Sequence, residues 1–231
     1  MDSTIYSDGT YLANNPGWHA DDSAWKAGHI AGLLERNAIV PRTLCEVGCG
    51  AGEVLRALSA RLDPSTRFFG YEISPSAFAI CSRKTNERLT FRLANLLETG
   101  EHYDLAMAID VFEHVEDYFG FLRLLRAKAD YKVFHIPLEL SAQEVMRARP
   151  LIDARRKVGH IHHFSKETAL ATLEDCGYRV IDHFYTSGRT ELPGLSWKAQ
   201  LLKWPRNALF RMSPDVTARM LGGYSLMVLA R

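Results

Sequence analysis

The feature that most constrains the fold is residues 43–55, T-L-C-E-V-G-C-G-A-G-E-V-L, where an apolar run leads through alternating glycines into a helical pattern. Gly48, Gly50 and Gly52 remove the Cβ atoms from a tight turn between a predicted strand and a predicted helix. A ligand can therefore approach the bare backbone and the N–H groups at the start of the helix. The pattern predicts a loop that binds a nucleotide cofactor.

The spacing of the glycines separates two classes of cofactor. A dinucleotide-binding loop has a third glycine at the sixth position of G-x-G-x-x-G, and this chain has Glu53 there. A carboxylate repels a pyrophosphate, whereas S-adenosylmethionine carries no phosphate and presents a cationic sulfonium and an amino group. Glu46 and Glu53 suit that ligand, and we expect Glu46, Gly48, Cys49, Gly50 and Gly52 to contact it.

A second predicted strand, residues 67–73, carries an acid at its end. Glu72 lies twenty residues beyond Gly52, at the tip of the neighbouring strand of a βαβ unit. A carboxylate in this place can accept both ribose hydroxyls of a nucleoside, and its charge disfavours a cofactor with a 2′-phosphate. We therefore expect Glu72 and the adjacent Ile73 at the cofactor.

Three motifs in order, E-V-G-C-G-A-G, G-Y-E-I-S-P and A-I-D-V-F-E-H-V-E-D, make the chain resemble a class I S-adenosylmethionine-dependent methyltransferase. The resemblance covers roughly residues 42–185 and is to the small-molecule enzymes that include those of ubiquinone and menaquinone biosynthesis. It implies a Rossmann-like α/β fold, with a seven-stranded mostly parallel sheet, helices on both faces and an antiparallel last strand. It also implies S-adenosylmethionine as cofactor and S-adenosylhomocysteine as product.

The resemblance further implies two residues beside the adenine, Asn95 and Leu96. The family usually has an aspartate where this chain has Asn95. An amide oxygen can accept the same hydrogen bond from the adenine amino group, so we keep Asn95 in the expected cofactor site.

Strand and helix patterns alternate along the chain, with further predicted strands at 89–93, 103–109, 131–137 and 178–186. This alternation independently predicts a mostly parallel sheet covered on both faces. A chain of 231 residues with 47% hydrophobic content can bury one sizeable core. We expect a single domain, with an N-terminal cover or lid at 1–40, a cofactor-binding core at 41–186, an insertion at 187–221 and the last strand at 222–231.

Composition and charge disfavour several other classes of protein. The formal net charge of +1 gives no electrostatic footprint for nucleic acid. The four cysteines lack the paired spacing of a zinc site and are typical of reduced cytosolic thiols. With no signal sequence and no long apolar span, we expect a cytoplasmic monomer or homodimer without integral membrane association.

The segment 110–114, D-V-F-E-H, follows an apolar predicted strand, where ligands bind in open parallel sheets. We expect Asp110 at the cofactor and the segment to face the transferable methyl group. For a hydroxyl acceptor, His114 can take the proton because an imidazole titrates near neutral pH, with Glu113 or Glu116 to orient it. The alternative is that His114 is a polar helix-start residue or a wall contact.

Three histidines lie close together in G-H-I-H-H-F-S. In an extended segment, alternation places His160 and His162 on one side and His163 on the other. Since no cysteine or acid stands at ligand spacing, we expect no metal, and metal binding stays as the last of three interpretations of this cluster. In the resembled family a related stretch lies near the acceptor pocket, which implies that His160 and His162 line the substrate site; structural hydrogen bonding is the alternative.

Two aromatic segments lie at the margins of the predicted core. The N-terminal one can form a lid, with Tyr11 at the substrate, or merely pack the first helix on the sheet; its aromatic and imidazole residues are Tyr6, Tyr11, Trp18 and His19. In the insertion, apolar and basic residues alternate, which fits a substrate wall, a dimer contact or a shallow membrane-surface anchor. Pro205 is expected to break the helix there.

The sequence thus predicts transfer of a methyl group from S-adenosylmethionine to a small-molecule acceptor, on an oxygen. One alternative is an NAD-dependent oxidoreductase on the same type of sheet, which Glu53 disfavours. Another is a partner subunit that binds S-adenosylmethionine without catalysis.

Overall fold

The computed structural model describes residues 20–191 and 197–231. Within these ranges seven strands form one sheet in the order β3-β2-β1-β4-β5-β7-β6. The strands are β1 Thr43–Val47, β2 Arg67–Glu72, β3 Leu89–Leu93, β4 Tyr103–Ile109, β5 Ala129–Leu138, β6 Val180–Thr186 and β7 Tyr224–Ala230. Strands β1 to β5 pair in parallel, and β7 runs antiparallel between β5 and β6. The predicted α/β sheet with an antiparallel last strand is confirmed.

Helices cover both faces of the sheet, as the alternating pattern predicted. They are α1 Ser23–Arg36, α2 Glu53–Ser59, α3 Pro75–Cys81, α4 Tyr118–Arg126, α5 Ala142–Arg147, α6 Arg149–Lys157, α7 Lys166–Asp175, α8 Gly188–Glu191, α9 Trp197–Met212 and α10 Pro214–Leu221. One hydrophobic cluster joins α1 and α2 to the sheet through Leu33 and Leu55, and a second joins α4 and α7 to it through Leu122 and Leu173. The central strands are buried between these two layers.

Helix α1 is the described part of the predicted N-terminal cover. Ile30, Leu33 and Leu34 recur at the spacing of one helical face and are at most 1% exposed. Burying each of these side chains stabilises the fold by roughly 1.5–3 kcal/mol. The expected lid residues Tyr6, Tyr11, Trp18 and His19 lie outside the described residues.

Between β6 and β7, where the sequence predicts an insertion, the described residues form helices α8, α9 and α10. The expectation that Pro205 ends the helix is wrong, since α9 continues through it to Met212. A proline removes one N–H donor from the helix but leaves the flanking backbone bonds possible.

Helix α9 packs on the sheet through one aromatic contact. Phe210 stacks on Tyr224 of β7, with 4.8 Å between ring centroids, whereas Trp204 is 82% exposed. In the part of the chain that the structure describes, no helix has both the length and the apolar character needed to cross a bilayer.

Candidate functional site

A cleft of about 680 Å³ opens at the carboxyl ends of β1, β2, β4 and β5. In an open parallel sheet these ends meet along one edge, which is where ligands bind. Nine of the residues expected at the site line this cleft: Glu46, Gly48, Cys49, Gly50, Glu72, Ile73, Asp110, His114 and His160. Residues separated by more than a hundred positions in sequence therefore share one cavity.

The glycine loop between β1 and α2 depends on left-handed backbone at two closely packed positions. Gly52 has a φ of +75°, and a Cβ there would lie 2.6 Å from the ring of Phe91 and 2.9 Å from Cβ of Cys81. Gly48 has a φ of +65°, and its Cβ would lie 3.2 Å from Val111. A side chain would be strained at both positions. Gly48 lines the cleft, as predicted, whereas Gly52 packs on the core and does not line it.

Glu72 connects the tip of β2 to this loop. Its Oε2 accepts a hydrogen bond from the N–H of Gly50, and its Oε1 accepts from the N–H groups of Ile73 and Ser74, at 2.8–2.9 Å. Burial raises the pKa of Glu72 above its ordinary value, although the three backbone donors act in the opposite direction. The carboxylate is thus held at the cleft wall in one orientation.

Glu46 is a second buried acid at the cleft. It lies at the carboxyl end of β1 and is 3% exposed. Burial, with Glu72 and Asp110 nearby, raises the pKa of Glu46 well above its usual value, although the Lys26 ammonium acts in the opposite direction. Its Oε2 accepts no hydrogen bond from the described residues. It can therefore accept one from a donor group on a ligand.

Asp110 stands at the tip of β4 with a φ of +53°, which is strained for a non-glycine residue. Its Oδ1 is 2.6 Å from Nδ1 of His135, and its Oδ2 is 2.7 Å from Nζ of Lys26. Lys26 also pairs with Asp22 at 2.9 Å, and Nε2 of His135 lies 2.9 Å from Oγ1 of Thr186. This network joins α1 to the sheet beside the cleft.

The network determines the charge of Asp110. Desolvation raises the pKa of this carboxyl, but the charges and hydrogen bonds of His135 and Lys26 outweigh it and hold the pKa well below the usual range. Sequence reasoning missed both partners. Lys26 lies on an amphipathic helix and His135 inside a buried strand, and neither belongs to a motif that signals an ion pair.

Glu113 and His114 form a 3-10 turn after β4, and the turn meets the histidine segment. Ile161 and His162 both donate their N–H groups to the backbone carbonyl of Glu113, at 3.0 and 3.1 Å. The rings of His114 and His160 are 4.7 Å apart between centroids. Burial, and then the neighbouring His160, lower the pKa of His114 to about 4, so the imidazole is neutral at physiological pH.

The predicted arrangement of the three histidines is wrong. His160 and His163, not His160 and His162, share a partner, because their Nδ1 atoms contact the two carboxylate oxygens of Glu139 at 2.8 and 2.6 Å. His162 instead packs on Tyr118 and does not line the cleft. Successive N–H groups of a strand point in opposite directions, whereas those of residues 161 and 162 meet one carbonyl. The segment is therefore no regular strand, and alternation does not apply.

The residues expected beside the adenine differ in their surroundings. Leu96 is fully buried in the core. The Asn95 side chain accepts from the N–H of Leu97 and donates to Glu98, so it caps a short 3-10 helix. Ile73 is 61% exposed and lines the cleft directly after Glu72. Of these residues, Ile73 alone offers an apolar surface to a ligand in the cleft.

Comparisons with known proteins agree with this architecture. A family model described as a methyltransferase domain matches residues 19–183. A search of curated proteins found no match to the sequence. Among solved structures, the N-methyltransferase NodS of Bradyrhizobium japonicum, in complex with S-adenosylhomocysteine, has a TM-score of 0.61 at 15% identity, covering 96% of this chain and 94% of that one.

Two further structures are similar at comparable identities. The magnesium protoporphyrin IX methyltransferase of Synechocystis, with bound S-adenosylhomocysteine, has a TM-score of 0.59 at 16% identity and covers 90% of this chain and 81% of that one. The cyclopropane synthase MmaA2 of Mycobacterium tuberculosis has a TM-score of 0.57 at 16% identity, covering 82% and 78%. At these identities the likeness concerns the fold.

Proposed function

The chain belongs to the methyltransferase domain family, and from that premise we propose that it methylates an oxygen of a small, hydroxylated molecule. It is an S-adenosylmethionine-dependent methyltransferase, which sets aside the alternative of an NAD-dependent oxidoreductase. The predicted cofactor class follows from the same membership. The acceptor, its reacting atom and the role of each residue belong to the proposal.

One observation carries the proposal, which is that Glu72 and His114 line the same cleft. Glu72 is the acid expected at the ribose, and His114 is the base expected at the acceptor. A methyl transfer requires the sulfonium and the nucleophile in line within one water-poor cavity, because positioning supplies much of the rate. A cleft of about 680 Å³ lies within the usual range for small-ligand sites.

In the proposed complex the nucleoside lies along the tips of β1 and β2. Glu72 accepts from a ribose hydroxyl, and the exposed side chain of Ile73 packs on the adenine. The glycine loop contacts the methionine portion, where the Oε2 atom of Glu46 accepts from the amino group. The methyl group then points past Asp110 towards His114.

The charge of the cleft favours an uncharged acceptor. Its lining contains several acids, among them Glu53, Asp110 and Glu116, while the ammonium of Lys26 is already paired with Asp22 and Asp110. A phosphorylated or carboxylated acceptor would meet like charge without a free cation in the described lining. A neutral hydroxyl avoids that repulsion and gives its proton to His114 as the methyl group is transferred.

The proposal is tested by titration calorimetry followed by a transfer assay. The protein should bind S-adenosylhomocysteine and not NAD. With methyl-labelled S-adenosylmethionine, neutral hydroxylated metabolites should become labelled at oxygen, while their phosphorylated counterparts should not. Label on nitrogen or carbon in every accepted compound would refute the oxygen acceptor, and preference for the phosphorylated forms would refute the charge argument.

A further inference from the structure

A second feature of the cleft is a convergence of three metal-ligating side chains at its acceptor end. Ligand atoms of Glu113, His114 and His160 all lie within 4.8 Å of one another. Glu113 follows β4, whereas His160 comes from the coil after α6, so the group exists only in the folded chain. His114 and His160 line the cleft itself, which gives an ion a path from solvent.

The hydrogen bonds around the two imidazoles direct lone pairs into this cluster. Nδ1 of His160 lies 2.8 Å from Glu139 Oε1. The other oxygen of the same side chain, Oε2, lies 2.6 Å from Nδ1 of His163, so both oxygens of Glu139 face an imidazole nitrogen. An ionised carboxylate only accepts, so Nδ1 donates and Nε2 carries the lone pair. His114 likewise donates to the carbonyl of Gly159, so its other ring nitrogen is the acceptor.

Glu113 supplies the third acceptor. The residue is fully buried, and neither oxygen of its carboxylate accepts a hydrogen bond from the residues that the structure describes. A buried carboxyl without a donor is costly to the fold. Two imidazole lone pairs and the oxygens of Glu113 therefore face one another, and a cation bound between them would give all three an electrostatic partner.

We propose that Glu113, His114 and His160 bind one divalent transition-metal ion of the zinc class. Two histidines and one glutamate with an open fourth position are the donor set of several catalytic zinc sites. Zinc bonds of about 2.0–2.2 Å place tetrahedral ligands about 3.4 Å apart, so side-chain movements on the order of 1 Å close the site. Glu139 supports it by fixing the tautomer of His160, as carboxylates do behind metal-bound histidines.

The position of the site gives the ion a role in the proposed function, on which this step rests. His114 and His160 both line the cleft, so an acceptor hydroxyl bound there can reach an ion held by these two residues. A bound divalent ion lowers the pKa of such a hydroxyl, whose proton then passes to water in the open cleft, and His114 serves as a ligand instead of as the base. In the protein without the ion, His114 remains the proton acceptor described above.

The test uses metal-stripped full-length protein titrated with Co²⁺, whose visible absorption reports tetrahedral nitrogen and oxygen ligands, and with Zn²⁺ as competitor. We expect one Co²⁺ per chain, displaced by Zn²⁺ but not by Mg²⁺, which prefers oxygen ligands. Glu113→Gln and His160→Ala should each weaken binding by at least about 100-fold, and Glu139→Gln by about 10- to 100-fold. His102→Ala, which removes an exposed histidine outside the cleft, is the matched control.

Calorimetry with S-adenosylhomocysteine is run on every variant and separates this proposal from the proposed function. Unchanged affinity shows that a variant is folded and that its cofactor site is intact. Absence of Co²⁺ and Zn²⁺ binding in a protein that binds S-adenosylhomocysteine would overturn the metal site alone. Binding that survives both Glu113→Gln and His160→Ala would also overturn it. Metal binding without S-adenosylhomocysteine binding would support the site and remove its catalytic role.

Discussion

Glu72 accepts a hydrogen bond from the backbone N–H of Gly50, with 2.8 Å between Oε2 and N. This bond ties the tip of β2 to the glycine loop after β1, so one acid shapes the loop and lines the cleft. With the N–H groups of Ile73 and Ser74, three of the roughly four lone-pair sites of the carboxylate are used. One site on Oε2 is left for a ribose hydroxyl without loss of the loop contacts.

The first prediction concerns this acid. Replacing Glu72 with alanine should weaken S-adenosylhomocysteine binding by about 1.5–3 kcal/mol, which is the usual cost of losing hydrogen bonds to a charged group. Glu72→Gln should weaken it less, because the amide retains one accepting oxygen. Calorimetry measures both dissociation constants, with the exposed Glu87→Gln as control. A folded Glu72→Ala protein with wild-type affinity would contradict the assignment.

The second prediction concerns His114, which lines the cleft. His114→Asn should leave the dissociation constant for S-adenosylhomocysteine within about twofold, while turnover falls by roughly 100-fold or more, the usual scale for a group that handles the acceptor proton. Steady-state kinetics with labelled cofactor measure the loss, and His102→Asn controls for removal of an exposed histidine. Wild-type turnover in His114→Asn would show that the ring is only a wall contact.

The parts predictable from sequence are those in which short-range pattern and structure agree. The glycine loop and the acid at the tip of β2 can both be located from local sequence, because an apolar run shows where each strand ends. Gly48, Gly50 and Gly52 lie directly after one such run. The alternation of strand and helix also predicted the parallel sheet. These features need no knowledge of contacts distant in sequence.

The contacts that complete the site were not predictable in this way. Lys26 and Asp110 form an ion pair although they are 84 positions apart in sequence. The sequence around one residue does not indicate that the other is its partner. The histidine segment was misjudged because alternation assumes a strand with partners, whereas residues 161 and 162 are held by one carbonyl of Glu113. Only the folded chain shows that His160 meets His114.

The third prediction compares two glycines. Gly52→Ala should destabilise the protein by about 2–5 kcal/mol, since left-handed backbone costs roughly 1–2 kcal/mol and overpacking against Phe91 a further 1–3. Gly28→Ala, on an exposed face of α1 with open space around it, should stabilise by about 0.5–1 kcal/mol. Urea unfolding measures both. If the two substitutions changed the free energy of unfolding equally, the contact of the new Cβ at Gly52 with Phe91 would be relieved at little cost.

The fourth prediction concerns the ion pairs that join α1 to the tip of β4. Lys26 is buried, and its partners Asp22 and Asp110 have side chains 26% and 27% exposed. Lys26→Met should therefore destabilise the protein at pH 7 by about 2–3 kcal/mol, which is less than the roughly 3–5 kcal/mol cost of breaking a fully buried pair. Lys26→Arg, which keeps the charge, is the control. Urea unfolding at pH 7 measures the difference, and an unchanged midpoint in Lys26→Met would refute the role of the pair.

The fifth prediction is the pH dependence of the same network, through Asp110. Desolvation opposes ionisation of Asp110, but His135 and Lys26 hold its folded-state pKa well below the unfolded value of about 3.9. A group with a lowered folded-state pKa stabilises the native state above its unfolded pKa, and this contribution is lost as the pH falls towards the folded value. The gap in unfolding free energy between wild type and Asp110→Asn should therefore narrow as the pH is lowered from about 5 to about 3. Urea unfolding of both proteins across this range measures the gap. A gap that widens as the pH falls would mean that the folded-state pKa of Asp110 is raised, and that the network does not hold its charge.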